Sequence, residues 1–503
     1  MNIAPDRRIR AIAGITSLAI WFVYLATAGG TMATGDAVAM FETARSMVDR
    51  GTLDVPAHQS SEAWRGTDGR YYTPFGIGQS LFDVPFLVAG RTAARVTGIR
   101  IGDPDTLPKA FVAAASTIPA AVAVGFGLLI AWRLSSDARS SVLTALVLAF
   151  GTMTWPYAKF GFNAALTTAA LTAGVYGVAA GTADRRVWTV AAGGVGLGAA
   201  LLTRHEMAVA AVVVLAWLAW EVRRDASAGR FVTAAAVPVC VALALWMTLN
   251  AVRFGNVWHT GHEPAFAAEG FRAFLVSPSG ALLLYSPPAL AGVVLVGLAR
   301  AGNALSRLLL AVAVALFVFY ASLEDWLGTR SYGPRYLVPL GPLLVAPLAT
   351  WLTQARTGAV RVAVAGLCIA GVAVQVPAIA VDFSRAGIEA GQPPQSERRD
   401  EWRWSPIVVN ARASLPAARS SFADLLAGTP RADRSSGGGS LFERLPFGLD
   451  FWWVHLFHLG VLPRSMAIGA GLLPLAAAAW LIRIALRRAA AVQSATLRLG
   501  SGG

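Results

Sequence analysis

The stretch "GRYYTPFGIGQSLFDVPFLVAG", residues 69 to 90, decides the membrane topology predicted for the whole chain. It is apolar enough to suggest a membrane span, yet it contains Asp83 and Pro85 and is followed by Arg91 and Arg95. Each span carries the chain to the other side of a bilayer, so one span more or fewer inverts every later loop. The placement of this stretch therefore decides which loops lie on the same side.

The composition indicates a membrane protein. Of the 503 residues, 55% are hydrophobic and 14% are charged, whereas soluble domains carry about 25% charged residues. Apolar runs of roughly 17 to 25 residues, long enough to cross a bilayer core as a helix, recur along the whole sequence. We therefore predict an all-α polytopic fold, with amphipathic juxtamembrane helices in the first outer loop.

The arginine clusters decide the placement of residues 76 to 98. If this segment spans the membrane, six later clusters face outward, against the charge bias of cytoplasmic loops. If it lies along the outer interface as an amphipathic helix, all six face inward together with the amino-terminal cluster Arg7/Arg8/Arg10. The six clusters are Arg133/Arg139, Arg185/Arg186, Arg223/Arg224/Arg230, Arg300/Arg307, Arg356/Arg361 and Arg483/Arg487/Arg488. The net charge of +14 is thus explained by topology, and no nucleic-acid partner is expected.

This topology predicts about twelve spans in the inner (plasma) membrane, with both termini cytoplasmic. The predicted spans are 9 to 29, 107 to 132, 141 to 157, 163 to 181, 187 to 203, 207 to 222, 231 to 251, 280 to 299, 306 to 322, 335 to 354, 361 to 380 and 463 to 482. The longer connections, at 30 to 106, 252 to 279, 323 to 334 and 381 to 462, then all face outward. We therefore expect any chemistry at the outer face.

A short amphipathic helix is predicted directly after the first span, in "TGDAVAMFETARSMVDRG". Apolar residues recur there at helical spacing, while Glu42, Arg45 and Asp49 mark the opposite side, as in a helix that lies on a membrane surface. Asp36 at its start fits two roles. It is a common N-cap residue, and it is also placed where a general base could meet a lipid-borne substrate.

Basic residues at the outer ends of spans are candidate phosphate ligands. An unpaired cation close to hydrocarbon costs free energy and tends to have a partner, and arginine offers bidentate hydrogen bonds to phosphate. The alternative for each residue is a side chain that extends into the interface. The candidates are Lys159, Arg204, Arg330 and Arg335.

Polar and aromatic side chains near these cations are candidate substrate contacts. Glu42 comes from the amphipathic helix described above, and the others come from "GRYYTPF", "TRHE", "LEDWLGTRSYGPRY" and "HTGH". The alternative without a ligand is a salt-bridged turn or interfacial packing. The residues are Glu42, Tyr71, Tyr72, His205, Glu206, Glu324, Asp325, Tyr332 and His262. The paired histidines of "HTGH" and "HLFH" have a spacing that a metal can use on a helix, but we assign no metal site from so weak a pattern.

With these residues in view, the chain resembles the GT-C superfamily of integral membrane glycosyltransferases, in the group similar to bacterial protein mannosyltransferases and to the lipid A aminoarabinose transferase. The resemblance covers nearly the whole chain. It is carried by "GDAVAMFETARSMVDRGTLDVP", "DGRYYTPFGIGQSLFDVPFLVAG", "LLTRHE", "SPSGALLLYSPP" and "SYGPRYLVPLGPLL". Many members of the superfamily have a second acid after the first, whereas Ala37 follows Asp36 here.

The predicted topology divides the chain into residues 1 to 380, an outer loop or cap at 381 to 462, whose length and composition suit a lid, and the last span with a cytoplasmic tail at 463 to 503. The resemblance implies that residues 1 to 380 form a GT-C-like catalytic region. Asp36 would be the catalytic base, and Arg204 with Arg330 or Arg335 would bind the phosphate of a polyprenyl-phosphate sugar donor. The acceptor would be a lipid, glycan or protein of the cell envelope, and membrane lipids surround the chain.

The expected activity is that of an inverting glycosyltransferase, with no cofactor beyond, at most, a divalent cation. The alternative from another class is a polytopic transporter or a lipid-linked sugar flippase, since twelve spans is a common transporter count. Transporters usually carry charged or broken-helix features near the bilayer midplane. Here the charges lie at helix ends and in outer loops, which favours chemistry at the membrane surface.

Overall fold

The computed structural model describes residues 7 to 32, 34 to 57, 63 to 99, 101, 103 to 260, 265 to 298, 303 to 328, 331 to 354, 358 to 393, 400 to 432 and 444 to 500. The chain is an all-α polytopic membrane protein. Its helices are α1 (Arg7–Ala26), α2 (Gly35–Arg50), α3 (Ile77–Thr97), α4 (Thr106–Ala115), α5 (Thr117–Ser135), α6 (Ala138–Gly151), α7 (Asn163–Ala183), α8 (Val187–Thr203), α9 (Ala208–Val222), α10 (Ala228–Phe254), α11 (Glu269–Val276), α12 (Leu282–Tyr285), α13 (Pro288–Leu298), α14 (Ala304–Ala321), α15 (Gly341–Val345), α16 (Leu348–Gln354), α17 (Gly358–Ala380), α18 (Phe383–Glu389), α19 (Pro406–Ala427), α20 (Trp452–His458) and α21 (Arg464–Gly500).

Nine helical segments within the described residues are long and apolar enough to cross a membrane. They are Arg7–Ala26, Thr106–Ser135, Asn163–Ala183, His205–Val222, Ala228–Phe254, Ala304–Ala321, Arg335–Thr353, Arg361–Ala380 and Arg464–Ser494. The other three predicted spans correspond to the shorter apolar helices α6, α8 and α13. The positions of the apolar segments are therefore as predicted, while the count of twelve crossings stays a prediction.

Close helix contacts depend on small residues, as expected where lipid offers no hydrophobic drive for association. Helices α7 and α8 pack so tightly that a Cβ atom added at Gly177 would lie 2.7 Å from the Cα atom of Gly193. On its other side α8 packs against α10, where a Cβ at Gly194 would lie 2.4 Å from the carbonyl oxygen of Ala235. Val178, Leu197 and Ala235, which neighbour these contacts, belong to one large buried cluster.

Helix α3, the segment quoted first, is absent from the helices of the described chain that qualify as spans. It packs against α2 and α4, and Arg91 holds Asp49 of α2 through two hydrogen bonds, one of them 2.9 Å from Nη2 to Oδ2. Arg45 of α2 in turn lies 2.6 Å from the carboxylate of Asp105, just before α4. Charged pairs of this kind suit a polar surface, in agreement with the predicted interfacial placement.

Contacts between distant segments bring alternate helix ends together at one end of the bundle, which we call the Asp36 end. Trp453, in α20, donates a hydrogen bond to the last residue of α1, and Trp155, after α6, donates one to Thr27. Arg253 near the end of α10 donates to the carbonyl of Thr73. A two-stranded antiparallel hairpin, β1 (Trp64–Arg65) and β2 (Tyr71–Tyr72), also lies here, because Thr67 in its turn bonds to the Arg253 carbonyl. Which side of the membrane this end faces remains a prediction.

Candidate active site

Asp36 lies in the first turn of α2 and is not the N-cap. That position belongs to Thr34, which has extended backbone angles and whose side chain accepts a hydrogen bond of 3.4 Å from the Ala37 amide. The N-cap interpretation of Asp36 is therefore wrong. Its carboxylate is free for another role and is 18% exposed, and the helix amino terminus favours a negative charge there.

Arg335 is the partner of Asp36. It opens a 3₁₀ turn (Arg335–Leu340) after Pro334, and its Nη1 donates a hydrogen bond of 2.7 Å to Asp36 Oδ2. Its Nη2 donates to the hydroxyl of Tyr336 at 3.2 Å, while its Nε is buried without a hydrogen-bond partner within the described residues. Asp36 Oδ1 makes no hydrogen bond to any described residue. One carboxylate oxygen is thus held in place while the other is open.

Two tyrosines connect the arginines of the site. Tyr336 stacks on Tyr320 of α14 with ring centroids 5.2 Å apart. The guanidinium of Arg335 lies 5.0 Å from the Tyr336 centroid, and that of Arg204 lies 4.6 Å from the same centroid. The Tyr336 hydroxyl also donates to Asp325 Oδ2 at 3.3 Å. The two arginines therefore share one aromatic ring, which screens both from the surrounding apolar side chains.

The guanidinium N–H groups of Arg204 are unused hydrogen-bond donors within the described residues. It follows the end of α8, is 7% exposed, and its nearest carboxylate is Glu206 at 3.9 Å. Within the described chain its guanidinium makes no hydrogen bond. His205 lies 3.7 Å from Glu206 and stacks on Trp246 of α10 with centroids 5.5 Å apart. A buried arginine with unused donors beside a second arginine is suited to an anionic ligand.

Lys159 lies in a different cluster from the other predicted phosphate ligands. It is 1% exposed, and its ammonium donates to the carbonyls of Ile379 and Asp450 at 2.6 and 2.8 Å. Its third neighbour is the Asp450 carboxylate, at 2.9 Å. Two of the three ammonium donors are used by carbonyls, and the buried charge is already paired with a carboxylate. The structure therefore does not support a phosphate contact for Lys159.

The remaining predicted contacts fall into two groups. Asp325, His205 and Glu206 join the arginines, and the exposed Glu324 lies beside Asp325. Tyr332 does not join them, because it is fully buried and its hydroxyl donates to the Val374 carbonyl.

Three further predicted contacts lie in the segment between α1 and α4. Glu42 is buried beside Arg45, and burial raises its pKa. Tyr72 donates from its hydroxyl to Asp68 at 2.7 Å in the hairpin, and Tyr71 is exposed. Arg330 and His262 lie outside the described residues.

Sequence reasoning missed the two stacked tyrosines. Tyr336 directly follows Arg335, so its adjacency to a candidate ligand was a usable signal, whereas nothing in the sequence marks Tyr320. The described residues contain no group of three or more His, Cys, Asp and Glu side chains placed to hold a metal ion. Among the described residues, the partner of Asp36 is an arginine and not a second carboxylate.

Comparison with known proteins gives matches among solved structures. The sequence matches no family model and no curated protein. The chain is similar to ArnT from Cupriavidus metallidurans in the apo state, with a TM-score of 0.49 and 17% identity, over 95% of this chain and 76% of that one. It is also similar to the apo oligosaccharyltransferase of Archaeoglobus fulgidus, with a TM-score of 0.46 and 11% identity, over 89% of this chain and 63% of that one.

A third similar structure is that of the archaeal oligosaccharyltransferase AglB from Archaeoglobus fulgidus in complex with an inhibitory peptide and a dolichol-phosphate. Its TM-score is 0.34 at 13% identity, over 95% of this chain and 55% of that one. Similarity at this level does not transfer the role of any residue from one chain to another.

Proposed function

We propose that the protein is an inverting membrane glycosyltransferase that moves a sugar from a polyprenyl-phosphate donor to a cell-envelope acceptor. The observation that carries the proposal is the Asp36–Arg335 pair with Arg204 beside it, at the Asp36 end of an apolar helix bundle. A carboxylate with one open oxygen next to two arginines offers both a base and an anion site.

In this reaction Asp36 acts as the general base. Its Oδ1 takes the proton of an acceptor hydroxyl, while Oδ2 stays bound to Nη1 of Arg335. The acceptor oxygen forms a bond to the anomeric carbon of the donor sugar as the bond from that carbon to the phosphate oxygen breaks. The electron pair stays on the phosphate, so the products are a glycosylated acceptor with inverted configuration and a polyprenyl phosphate. General-base catalysis of this kind contributes about 10²- to 10⁴-fold.

The arginines stabilise the departing phosphate. Arg204 has unused donors, and Arg335 lies over the same tyrosine ring, so a phosphate beside Arg204 meets two fixed positive charges. Charge that develops on a leaving group is stabilised most effectively by donors that are already oriented. The stacked tyrosines and the buried position of Arg335 fix this orientation before the donor arrives.

The location of the site at the ends of apolar helices favours a lipid-linked sugar donor over a soluble one. Asp36 is carried by a helix that follows the end of α1, and Arg335 opens a qualifying span. A donor with its lipid in the bilayer would present its phosphate at this depth. We assign the site to the outer face of the inner membrane, and the charge bias of the loops supports this assignment. The acceptor is a lipid, glycan or protein with a free hydroxyl.

The experiment is mass spectrometry of lipid-linked sugars and envelope glycans in a strain that lacks the protein, complemented with the wild type or with Asp36→Asn. We expect a polyprenyl-phosphate sugar to accumulate, and one envelope sugar to disappear, in the deletion strain and with Asp36→Asn. The wild type should restore both. Unchanged lipid-linked sugars and glycans in the deletion strain would contradict the proposed activity. Restoration by Asp36→Asn would contradict the proposed site.

A further inference from the structure

A second buried cluster of charged side chains lies against the segment that joins α1 to α2. Its centre is Asp450, which is 5% exposed and whose carboxylate lies 2.9 Å from Lys159 Nζ and 3.4 Å from His455 Nε2. Asp450 belongs to the segment between α19 and α20, within the predicted cap. Lys159 belongs to the turn between α6 and α7. The reaction proposed above uses none of these groups.

The ammonium of Lys159 joins three segments at one point. It donates to the carbonyl of Ile379 at the end of α17, to the carbonyl of Asp450, and it pairs with the Asp450 carboxylate. The amide of Asp450 completes the junction by donating to the carbonyl of Ala380 at 2.9 Å. Lys159 therefore fixes the cap segment against the end of a membrane helix.

The same cap segment holds the chain that leads to Asp36. The Trp452 amide donates to the Ala28 carbonyl, and its indole donates to the Leu25 carbonyl, each at 2.9 Å. Gly29 lies directly on the Asp450 carboxylate, since a Cβ there would be 2.7 Å from Oδ2. Only six residues separate Gly29 from Asp36. Asp450 and its neighbour Trp452 thus hold the chain only a short stretch before the start of α2.

We infer that Lys159 and Asp450 form a positioning pair, which holds the cap on residues 25 to 29 and thereby sets the place of Asp36 opposite Arg335. The inference rests on the proposed function for its catalytic consequence, but its structural consequence is independent of it. Neither residue touches the reacting atoms. Their loss should reduce turnover while leaving the phosphate contact at Arg204 intact.

The test compares Lys159→Met with the double variant Lys159→Met/Asp450→Asn. The single variant leaves a buried carboxylate without its cation, which lowers stability, whereas the double variant removes both charges. Neither variant restores the bonds to the carbonyls of Ile379 and Asp450, so the cap stays released in both. The matched control is Arg272→Ala, which breaks the exposed pair of α11 with Asp400.

We expect the double variant to regain thermal stability relative to the single variant, while kcat stays at least tenfold below the wild type and binding of polyprenyl phosphate is unchanged. Hydrogen exchange should be faster in the peptide that covers residues 25 to 36 and unchanged in α7 and α8. The control Arg272→Ala should match the wild type in kcat and in hydrogen exchange. Normal exchange in residues 25 to 36 of the double variant would overturn the inference, and this readout holds whether or not the protein transfers sugar. Wild-type kcat in a stable double variant would also overturn it.

Discussion

Nη1 of Arg335 donates a hydrogen bond of 2.7 Å to Oδ2 of Asp36, joining two residues that are 299 positions apart in the chain. This contact connects the start of the first surface helix to the start of a late membrane span. It occupies one oxygen of the carboxylate and leaves the other open. The arrangement orients a base and places a positive charge beside it.

Arg204→Ala should weaken donor binding far more than it weakens the fold. A hydrogen bond to a charged group contributes about 1.5 to 3 kcal/mol, so we expect the Kd for polyprenyl phosphate to rise by about 10- to 150-fold. Binding to purified protein in nanodiscs measures this. Arg223→Ala is the control, because Arg223 stacks on Trp220 and is exposed. An unchanged Kd for Arg204→Ala would remove this residue from the phosphate site.

Gly328→Ala should impair transfer by moving Arg335. Gly328 has a φ of +70°, and a Cβ there would lie 2.1 Å from Arg335 Nε. Gly428→Ala is a matched control with the same φ of +70° and no atom within 4 Å of the added Cβ. Both variants have the same type of backbone strain, so only Gly328→Ala should lose transfer activity in a purified assay. Equal activity of the two variants would show that Arg335 has room to shift without consequence.

The sequence alone predicted the apolar segments well because a bilayer imposes a single requirement on each of them, a long apolar helix. It also selected Asp36, Arg204 and Arg335. It could not predict that Asp36 meets Arg335, because nothing local relates residues 299 positions apart. Their pairing follows only from the packing of α2 and the late spans.

Two interpretations were wrong for physical reasons, the N-cap role of Asp36 and the phosphate contact of Lys159. Thr34 and Asp36 are both residue types that cap helices, and the backbone angles, which the sequence does not show, select Thr34. Lys159 was placed correctly at a helix end, but its partners Ile379 and Asp450 come from distant segments. A buried cation bound by protein and one that awaits a ligand look the same in a sequence.

The topology predicts that cysteine at position 103 reacts with an impermeant maleimide added from outside, whereas cysteine at position 139 does not. Both native cysteines, Cys240 and Cys368, are first replaced by alanine. Asp103 and Arg139 are both exposed, so protection would reflect the membrane and not the fold. Labelling of Arg139→Cys with protection of Asp103→Cys would invert the assignment of sides.

Asp382→Asn should flatten the dependence of stability on pH. Burial, and then the nearby Asp450, raise the pKa of Asp382 to about 7. Between the ordinary carboxyl pKa of about 3.9 and this value the folded protein binds more protons than the unfolded chain, so the free energy of unfolding falls as pH rises. Asparagine keeps the N-cap of α18, where Oδ1 accepts from the amides of Ser384 and Arg385, but it does not ionise.

For Asp382→Asn the measurement is the apparent Tm in detergent at about pH 5 and about pH 8. The wild type should lose more of its Tm between the two values than the variant does, and the variant should be the more stable at the higher pH. Asp400→Asn serves as the control, since Asp400 is exposed. A slope for Asp382→Asn that equals the wild-type slope would exclude a raised pKa at this position.

The most direct test of the central claim is the transfer rate of Asp36→Asn, measured with purified protein and a polyprenyl-phosphate sugar. Thr34 caps α2, and asparagine can still accept the hydrogen bond of Arg335, so the variant should express and unfold like the wild type. An amide cannot take the proton of the acceptor hydroxyl, and we predict a rate lower by about 10²- to 10⁴-fold with normal donor binding. Transfer by Asp36→Asn at close to the wild-type rate would contradict the assignment of Asp36 as the base.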